Sequence, residues 1–349
     1  MEMFKNILII RFSSIGDIVL TSPLLRILRK SFPDSNIDFL IRKEYSELVK
    51  FNPNVNNIIE FDTLEGLRGL YNIANQIKSK RYDLVLDLHN NWRSNYIKYF
   101  SKAKFYTINK RVLKRFFLIK FKIDLFKEYI SVVDKYIETI KFLNVKNDNN
   151  GLDLFYPDNL SVNFHQKFKD LALENYNLLI GVAPSAKHYT KIWPAQKYIE
   201  LLSNILQQFN AFVFMFGSKN EADYINMITK AVIEHTNKNS ILNMAGKLSL
   251  LETAAVLDRC NLMITNDTGL MHIAAARKRK VVAIFGSTVR QFGFFPHGTE
   301  NIVVENNNLK CRPCTHIGRN RCPEKHFKCM QDITVDKVFN AFKNILNIK

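Results

Sequence analysis

The chain has 349 residues, of which 47% are hydrophobic, with only 12 glycines and nine prolines. This composition excludes a disordered or low-complexity chain, and the length allows two domains with full cores. Fifty Lys and Arg against 32 Asp and Glu give a formal net charge of +18, which favours an anionic partner. Charge alone leaves three classes of partner open: nucleic acid, a membrane surface and a phosphorylated substrate.

Membrane insertion and secretion are both disfavoured by the apolar pattern. No apolar run approaches the length of a membrane-spanning helix. The first run, Ile7 to Ile10, is too short for the core of a signal peptide and is followed directly by Arg11. We therefore expect a cytoplasmic protein, with peripheral attachment to the inner membrane left open. Thiols in that compartment are expected to stay reduced.

In the first half of the chain, short apolar runs alternate with stretches of helical periodicity. The predicted strands are 6–12, 37–41, 58–61 and 83–88, and the predicted helices between them are 18–30 and 64–79. A segment rich in bases and aromatics follows at 110–127, then a helix at 128–143 and a linker at 157–163. Alternating strands and helices predict a parallel sheet that is covered on both faces.

The same alternation restarts in the second half. Strands are predicted at 178–182, 211–216, 241–242, 262–264 and 281–285, and helices at 195–207, 221–234, 250–257, after Asp267, and 335–346. We predict an α/β chain with an N-terminal domain over 1–160 and a C-terminal domain over 161–330. The second domain carries a cysteine-bearing loop at 311–329, and a last helix lies within 331–349.

Ligands of open α/β sheets bind beyond the carboxyl ends of the strands, which selects the turns that follow the strands. Asp17 closes the first of these turns, Ser-Ser-Ile-Gly-Asp, at the start of a helix. It can serve as a helix cap, or as a carboxylate that takes a proton from a hydroxyl. The turn lacks the G-x-G-x-x-G spacing, so it is not a dinucleotide fingerprint.

The turn after the strand at 178–182 combines hydroxyls with lysines ahead of a Trp-Pro helix start. Ser185 and Thr190 carry the hydroxyls, and Lys187 and Lys191 carry the charge. A solvated surface loop is the simpler interpretation, but the convergence of these groups at one strand end favours an anion site. Lys191, which is next to the helix, is the better candidate for a phosphate ligand.

Later turns offer further candidates. Glu221 can cap a helix or accept hydrogen bonds from a ribose, and Leu248 can line a base pocket. In Thr-Asn-Asp-Thr-Gly-Leu-Met-His, Asp267 or Thr268 can cap a helix, and Gly269 lets a ligand approach the backbone. A helix start carries N–H groups and a partial positive charge, so it is a natural seat for a phosphate or diphosphate.

Taken in order, these turns resemble glycosyltransferase family 9, the lipopolysaccharide heptosyltransferases, over about residues 6–285. The resemblance rests on Ile-Leu-Ile-Ile-Arg-Phe-Ser-Ser-Ile-Gly-Asp, Lys-Ile-Trp-Pro, Phe-Gly-Ser, Ala-Gly-Lys-Leu-Ser-Leu and Thr-Asn-Asp-Thr-Gly-Leu-Met-His. It implies a GT-B fold, in which two Rossmann-like domains with parallel sheets face each other across a cleft. It also implies an inverting, metal-independent transfer from ADP-heptose or a similar nucleotide sugar, with no cofactor required. The implied acceptor is a lipopolysaccharide core or lipid A-linked oligosaccharide.

The resemblance gives roles to individual residues, with Asp17 as the general base. The residues predicted to bind the donor are Ser185, Thr190, Lys191, Glu221, Leu248, Asp267, Thr268, Gly269 and His272. The residues predicted to bind the acceptor are Ser14, Gly16, Arg93 and Ser94. His272 falls one helical turn after Thr268 and can reach the same helix start, although a packing histidine would fit there as well. The segment at 110–127 is a candidate contact for an acidic acceptor or an anionic membrane, and a solvated face with core phenylalanines is its alternative.

Four cysteines lie within 19 residues in the pattern Cys-x2-Cys-x7-Cys-x6-Cys. Clustered thiols in a cytoplasmic chain suggest a structural zinc site, with His316 and His326 as possible substitute ligands. The second pair lacks the short Cys-x-x-Cys spacing, so an unligated structural loop stays open, and no catalytic metal is expected. The candidate zinc ligands are Cys311, Cys314, Cys322 and Cys329.

Two other functions stay open on the sequence alone. A transferase of the same fold could use a different nucleotide sugar, because Leu248 and its neighbours do not identify the base. A nucleic-acid-binding protein with a zinc loop would use the charge of +18. That second alternative leaves the ordered set of strand-end turns unexplained, so we rank it below a transferase.

Overall fold

The computed structural model describes residues 4–348, without the side chains of 161–165, and divides the chain into two compact units. The first unit consists of the residues up to Lys110 together with Ile130–Tyr156. The second consists of Arg111–Tyr129 together with the chain from Pro157 onward. The division predicted at 160 assigned 111–129 to the first domain, whereas in the structure this segment belongs to the second unit.

Eleven strands and 14 α-helices run through the described residues in the following order. The elements up to 156 are β1 (Asn6–Ile10), α1 (Ile15–Val19), α2 (Ser22–Ser31), β2 (Asn36–Arg42), α3 (Glu47–Lys50), β3 (Asn57–Phe61), α4 (Gly66–Lys80), β4 (Leu84–Asp87), α5 (Trp92–Ser101), β5 (Lys104–Thr107), α6 (Val112–Lys120) and α7 (Val132–Ile137). The remaining elements are α8 (Asn159–Phe168), β6 (Leu178–Ala183), α9 (Ala195–Gln208), β7 (Ala211–Met215), α10 (Ala222–Thr236), β8 (Ile241–Asn243), α11 (Leu250–Leu257), β9 (Leu262–Asn266), α12 (Gly269–Ala276), β10 (Lys280–Phe285), β11 (Asn301–Glu305), α13 (Lys328–Gln331) and α14 (Val335–Leu346).

Five parallel strands form the sheet of the first unit, in the order β3-β2-β1-β4-β5. Every residue of β4 and all but the first of β1 are buried, as expected for parallel strands covered on both faces. The strand order reverses between β1 and β4, whose last residues Ile10 and Asp87 are partners in register. In a doubly wound sheet this reversal marks the ligand-binding crevice.

Six parallel strands form the sheet of the second unit, in the order β11-β10-β9-β6-β7-β8. All five residues of β7 and of β9 are buried. Here the order reverses between β6 and β9, where Ala183 and Thr265 are partners in register. The two turns that follow these strands therefore start side by side at one edge of the sheet.

Two predicted helices differ from the observed ones. The predicted helix 18–30 is broken into α1 and α2, because Pro23 lies in the first turn of α2 and starts a new helix there. The predicted helix 128–143 is only α7 followed by a 3-10 turn, inside which Ile140 has non-helical backbone angles. None of the described helices combines the length and the apolar content that crossing a bilayer requires.

Two strands, β5 and β11, escaped the sequence analysis, and both lie at an edge of their sheet. An edge strand is covered less than a central one, so its sequence keeps polar side chains. None of the four residues of β5 is buried, and only one of the five residues of β11 is. An aliphatic run is therefore absent from β5, whereas β11 contains the run Ile302 to Val304, which the sequence analysis did not use.

Candidate active site

The turn after β1 places Asp17 beyond the carboxyl end of the first sheet, within α1. One of its carboxylate oxygens, Oδ1, lies 2.6 Å from Nη2 of Arg11. The other, Oδ2, accepts a 2.8 Å hydrogen bond from the Ser14 hydroxyl. The ion pair is largely buried, since the exposed fraction of the side chain is 10% for Arg11 and 18% for Asp17. The guanidinium also donates to the backbone carbonyl of Leu88, so Arg11 connects the ends of β1 and β4.

The surroundings of Asp17 set its charge state. Burial by itself would raise the pKa of the carboxyl, but the attraction of Arg11 and the hydrogen bonds from Ser14 outweigh burial and hold the pKa below its ordinary value. Asp17 is therefore ionised at neutral pH, which is the state that a general base needs. The hydroxyl of Tyr136 donates a 3.3 Å hydrogen bond to the backbone carbonyl of Asp17 and helps to fix the turn.

Ser14 and Gly16, both predicted to contact an acceptor, differ in their surroundings. Ser14 is exposed at the N-terminus of α1, and its hydroxyl donates to Asp17. Gly16 is buried, so only a small part of its backbone faces outward. The geometry of Ser14 fits a residue that orients the Asp17 carboxylate.

Asp87, at the end of β4, is fully buried and organises the next turn. Its Oδ1 accepts hydrogen bonds from the backbone N–H groups of His89 and Asn90, at 2.9 and 2.7 Å. Its Oδ2 accepts a 2.8 Å bond from the Ser94 hydroxyl and lies 2.9 Å from Nζ of Lys98. Ser94 is itself fully buried. The position of Ser94 at the start of α5 turns its hydroxyl inward, where it supports the turn, and its role in acceptor binding stays a prediction.

Arg93, the neighbouring residue, differs from Ser94 in facing the surface. It is half-buried, and its guanidinium carbon lies 4.6 Å from the centre of the Trp92 ring. Stacking on an aromatic ring holds an arginine in place while its N–H groups remain available for planar anions. Arg93 therefore stays a candidate for binding an acidic acceptor.

His89 was missed by the sequence analysis although it follows β4 directly. Burial, followed by repulsion from Arg11 and Lys110, lowers the pKa of His89 to about 4. The imidazole is therefore neutral at physiological pH, and its ring lies 5.4 Å from that of Phe12. Its buried Nδ1 has no hydrogen-bond partner among the described residues. The available signal was its place beyond a strand end, where Asp17 was also found.

In the second unit, the turns after β6 and β9 are joined by an ion pair. Nζ of Lys191 lies 2.7 Å from Oδ2 of Asp267, and the Thr288 hydroxyl donates to the same oxygen at 2.7 Å. The exposed fraction of the side chain is 15% for Lys191 and 7% for Asp267. The structure thus brings together two residues that were predicted separately, and it leaves part of the lysine accessible.

The helix α12 begins at Gly269, two residues after Asp267. Thr268 is its N-cap residue, and the Thr268 side chain makes no capping hydrogen bond to the first turn. Gly269, the first helical residue, is half-buried. His272 is only 2% exposed, and its ring centre lies 6.5 Å from that of Phe294. The helix start therefore offers backbone N–H groups beside Lys191, whereas the surroundings of His272 also fit a packing role.

Ser185 and Thr190, both predicted to bind the donor, are 5% and 1% exposed. The Thr190 hydroxyl accepts a 3.0 Å hydrogen bond from the Ser287 hydroxyl and a 2.8 Å bond from the backbone N–H of Arg319. The Thr190 hydroxyl thus fastens the turn to two neighbouring segments. Its role in donor binding stays a prediction.

Glu221 forms a capping box, which is the simpler of its two predicted roles. Its Oε2 accepts hydrogen bonds from both the backbone N–H and the hydroxyl of Ser218, each at 2.7 Å. The turns after β7 and β8 meet where the Gly246 N–H donates to the Gly217 carbonyl at 3.0 Å. Leu248 follows this junction and is half-buried. Glu221 and Leu248 therefore remain candidates for contacts to the nucleoside of a donor.

The cysteine-bearing loop at 311–329 supports the turns of the second sheet. Arg312 donates to the backbone carbonyls of Gly286 and Thr288, each at 2.6 Å. Burial raises the pKa of the Cys329 thiol to about 12. No group of three or more His, Cys, Asp or Glu in the described residues is arranged to hold a metal ion, so the zinc site stays a prediction.

Comparison with known proteins identifies the architecture that carries these turns. The model of glycosyltransferase family 9 (heptosyltransferase) matches residues 70–326. The chain belongs to glycosyltransferase family 9. It is 28% identical over 334 residues to lipooligosaccharide heptosyltransferase 2 of Campylobacter jejuni, a match that covers 95% of each chain.

Solved structures of family 9 agree in fold. The glycosyl transferase family 9 protein of Veillonella parvula superposes with a TM-score of 0.80 at 22% identity, over 99% of this chain and 98% of that chain. The ADP-heptose lps heptosyltransferase II of Escherichia coli superposes with a TM-score of 0.73 at 24% identity, over 98% of each chain. The predicted family and GT-B fold are confirmed, and the protein is a glycosyltransferase.

Proposed function

We propose that this family 9 enzyme transfers a heptose from ADP-heptose to a lipopolysaccharide core or lipid A-linked acceptor, with inversion and without a metal ion. The names of the relatives support the sugar, the nucleotide and the acceptor class. The observation that carries the chemistry is the arrangement of Lys191 and Asp267 beside the start of α12 at the strand reversal of the second sheet. A phosphate-bearing donor requires a cation and backbone N–H groups of this kind.

In the proposed reaction, the acceptor hydroxyl oxygen forms a bond to the anomeric carbon of the heptose. The bond from that carbon to the diphosphate breaks on the opposite face, and ADP leaves with the electron pair. The hydroxyl proton passes to the Asp17 carboxylate. Its ionised state, held by Arg11 and Ser14, supports this role.

The leaving diphosphate gains negative charge in the transition state and needs stabilisation at that moment. Lys191 supplies a cation, and the start of α12 at Thr268 and Gly269 supplies N–H groups with a partial positive charge. Asp267 and Thr288 hold the lysine in position before the donor binds. Groups that are already oriented need little rearrangement when charge develops, which is why such sites accelerate the reaction.

The acceptor is proposed to bind beyond the first sheet, near Ser14, Gly16 and Arg93. Arg93 would pair with a phosphate or carboxylate of the acceptor, since guanidinium groups bind such planar anions through two hydrogen bonds. Because the acceptor carries lipid, we propose that the enzyme works in the cytoplasm at the inner membrane.

The donor is best identified by calorimetric titration with ADP-heptose, a UDP-sugar and a GDP-sugar, in the presence of a chelator. We expect ADP-heptose to bind at least about tenfold more tightly than the others, since the base contacts should discriminate. Preferential binding of another nucleotide sugar would replace the donor but keep the enzyme class. Transfer that stops on chelation and returns with a divalent cation would overturn the metal-independent mechanism.

A further inference from the structure

Exposed apolar side chains are concentrated in one short stretch of the second unit. Seven of the 17 large apolar side chains that are exposed in the described part of the chain fall within 112–129, which we call the 112–129 surface. Its members are Val112, Leu113, Phe116, Phe121, Ile123, Leu125 and Tyr129. Their exposed fractions run from 40% for Tyr129 to 74% for Leu113. A clustered apolar surface of this kind marks an interaction site more often than scattered single residues do.

The helix α6 turns much of its apolar content toward solvent. Val112, Leu113 and Phe116 are exposed, whereas Leu118 is the one buried residue of the helix. The rings of Phe116 and Phe121 lie 5.8 Å apart, centre to centre, and both are more than half exposed. Burying such rings would normally stabilise the fold. Their exposure therefore suggests a contact outside this chain.

Polar contacts attach the segment 111–129 to the rest of the second unit. Nζ of Lys122 donates to the backbone carbonyls of Cys311 and Pro313, at 2.9 and 2.6 Å. The side-chain amide of Gln291 donates to Asp124 at 2.9 Å. The segment is thus tied to the cysteine-bearing loop and to the turn after β10, with its apolar side chains on the surface.

The charge of the segment indicates what it meets. Residues 111–129 contain six Lys or Arg and only two acidic residues, Asp124 and Glu128. Basic residues interleaved with exposed aromatic and aliphatic side chains favour the boundary between anionic headgroups and acyl chains. The nine residues of α6 are far too few to cross a bilayer, so the helix would lie along the surface.

We propose that the 112–129 surface docks the enzyme onto a membrane surface rich in anionic phospholipids. The aromatic and aliphatic side chains enter the interface, and the exposed lysines Lys120 and Lys127 pair with phosphate headgroups. The purpose of this docking rests on the proposed function, because a lipid-linked acceptor is presented at such a surface. The docking itself is independent of the acceptor.

The test is co-sedimentation of the full chain with vesicles that contain no acceptor, made of phosphatidylcholine alone or mixed with phosphatidylglycerol. We expect binding to the anionic vesicles and little binding to the neutral ones. The double variant Leu113→Ser, Phe116→Ser should bind the anionic vesicles about tenfold more weakly or worse, because two side chains lose their apolar contact. Lys120→Ala should weaken binding about fivefold at low salt.

A matched control removes two apolar side chains of comparable or greater exposure elsewhere in the chain. Leu64 and Leu67 are 93% and 72% exposed in the first unit, and Leu64→Ser, Leu67→Ser should leave vesicle binding unchanged. Equal loss in both double variants, or a wild-type chain that ignores anionic vesicles, would overturn the proposal. Transfer to a lipid-free acceptor separates the two proposals. If Leu113→Ser, Phe116→Ser transfers at the wild-type rate but no longer binds vesicles, both the docking proposal and the proposed function stand. If the wild-type chain binds vesicles but transfers no heptose, only the proposed function fails.

Discussion

Replacing Asp17 by Asn is the sharpest test of the proposed base. The amide keeps the size of the side chain and can still accept a hydrogen bond from the Ser14 hydroxyl, which lies 2.8 Å from the carboxylate in the native chain. It cannot accept a proton from the acceptor hydroxyl. It also leaves Arg11 without its ionic partner at 2.6 Å, although the guanidinium keeps its hydrogen bond to Leu88.

The expected loss of transfer can be bounded from both effects. Removing a positioned general base lowers rates by about 10²- to 10⁴-fold, which corresponds to about 3 to 5 kcal/mol of activation free energy. Breaking a buried ion pair costs about 3–5 kcal/mol of stability, and the 18% exposure of Asp17 places this variant at or below the lower end. Activity should therefore fall much further than a modest drop in the folded fraction could explain.

The assay compares transfer rates and donor affinity in Asp17→Asn and in a matched variant, Asp38→Asn. Asp38 is fully buried, lies 2.8 Å from Nζ of Lys80, and sits near the beginning of β2, away from the carboxyl ends of the strands. We expect Asp38→Asn to lose stability but to keep its rate per folded molecule. Asp17→Asn should lose the rate and keep the donor affinity. A rate within about tenfold of wild type in Asp17→Asn would refute the base assignment.

Three further outcomes follow from the geometry. Lys191→Ala should weaken donor binding about 10- to 100-fold by calorimetry, as expected for the loss of a charged hydrogen bond. Lys230→Ala, on the exposed side of α10, should leave donor affinity unchanged. Equal donor affinities in the two variants would remove Lys191 from the donor site. Arg11→Met should move the acid limb of the pH–rate profile to higher pH. The variant loses the attraction that lowers the pKa of Asp17, whereas burial, which raises that pKa, remains. An unmoved acid limb would mean that another group titrates. Gly318→Ala should lower the free energy of unfolding by about 1–3 kcal/mol in a denaturant titration. The backbone φ of Gly318 is +114°, and a Cβ there would approach a neighbouring side-chain atom to 2.5 Å. Unchanged stability would show that the loop relaxes freely.

The central strands and the turns beyond them were predictable because two independent signals coincide there. Buried parallel strands need unbroken apolar runs, and a sheet edge that binds an anion needs polar residues, glycine or lysine in the turn that follows. Asp17, Lys191 and Asp267 all lie in such turns, and no structure was needed to select them. That Lys191 and Asp267 pair with each other at 2.7 Å required the strand order, since they are 76 positions apart in the chain.

The contacts of Ser94 and Thr190 show what the sequence could not tell. Ser94 and Thr190 have hydroxyls at strand ends, as a ligand-binding residue would, yet both hydroxyls bond within the protein. Which way a hydroxyl points depends on partners distant in sequence, such as Arg319 for Thr190. The assignment of 111–129 to the second unit depends likewise on Lys122 and the carbonyls of the cysteine-bearing loop.

The candidate residues beyond each of the two sheets form a buried ion pair, with the charges exchanged between the two. Beyond the first sheet the carboxylate of Asp17 is the proposed reacting group, and the cation of Arg11 keeps it ionised and in place. Beyond the second sheet Lys191 is the proposed donor ligand, and Asp267 keeps it in place. A largely buried charge without a partner would be costly, so each reacting group needs a counter-ion in the free enzyme. We expect the two substrates to act differently on these pairs. A donor diphosphate should compete with Asp267 for the lysine, whereas an acceptor hydroxyl should leave the pair of Arg11 and Asp17 intact until the proton is transferred.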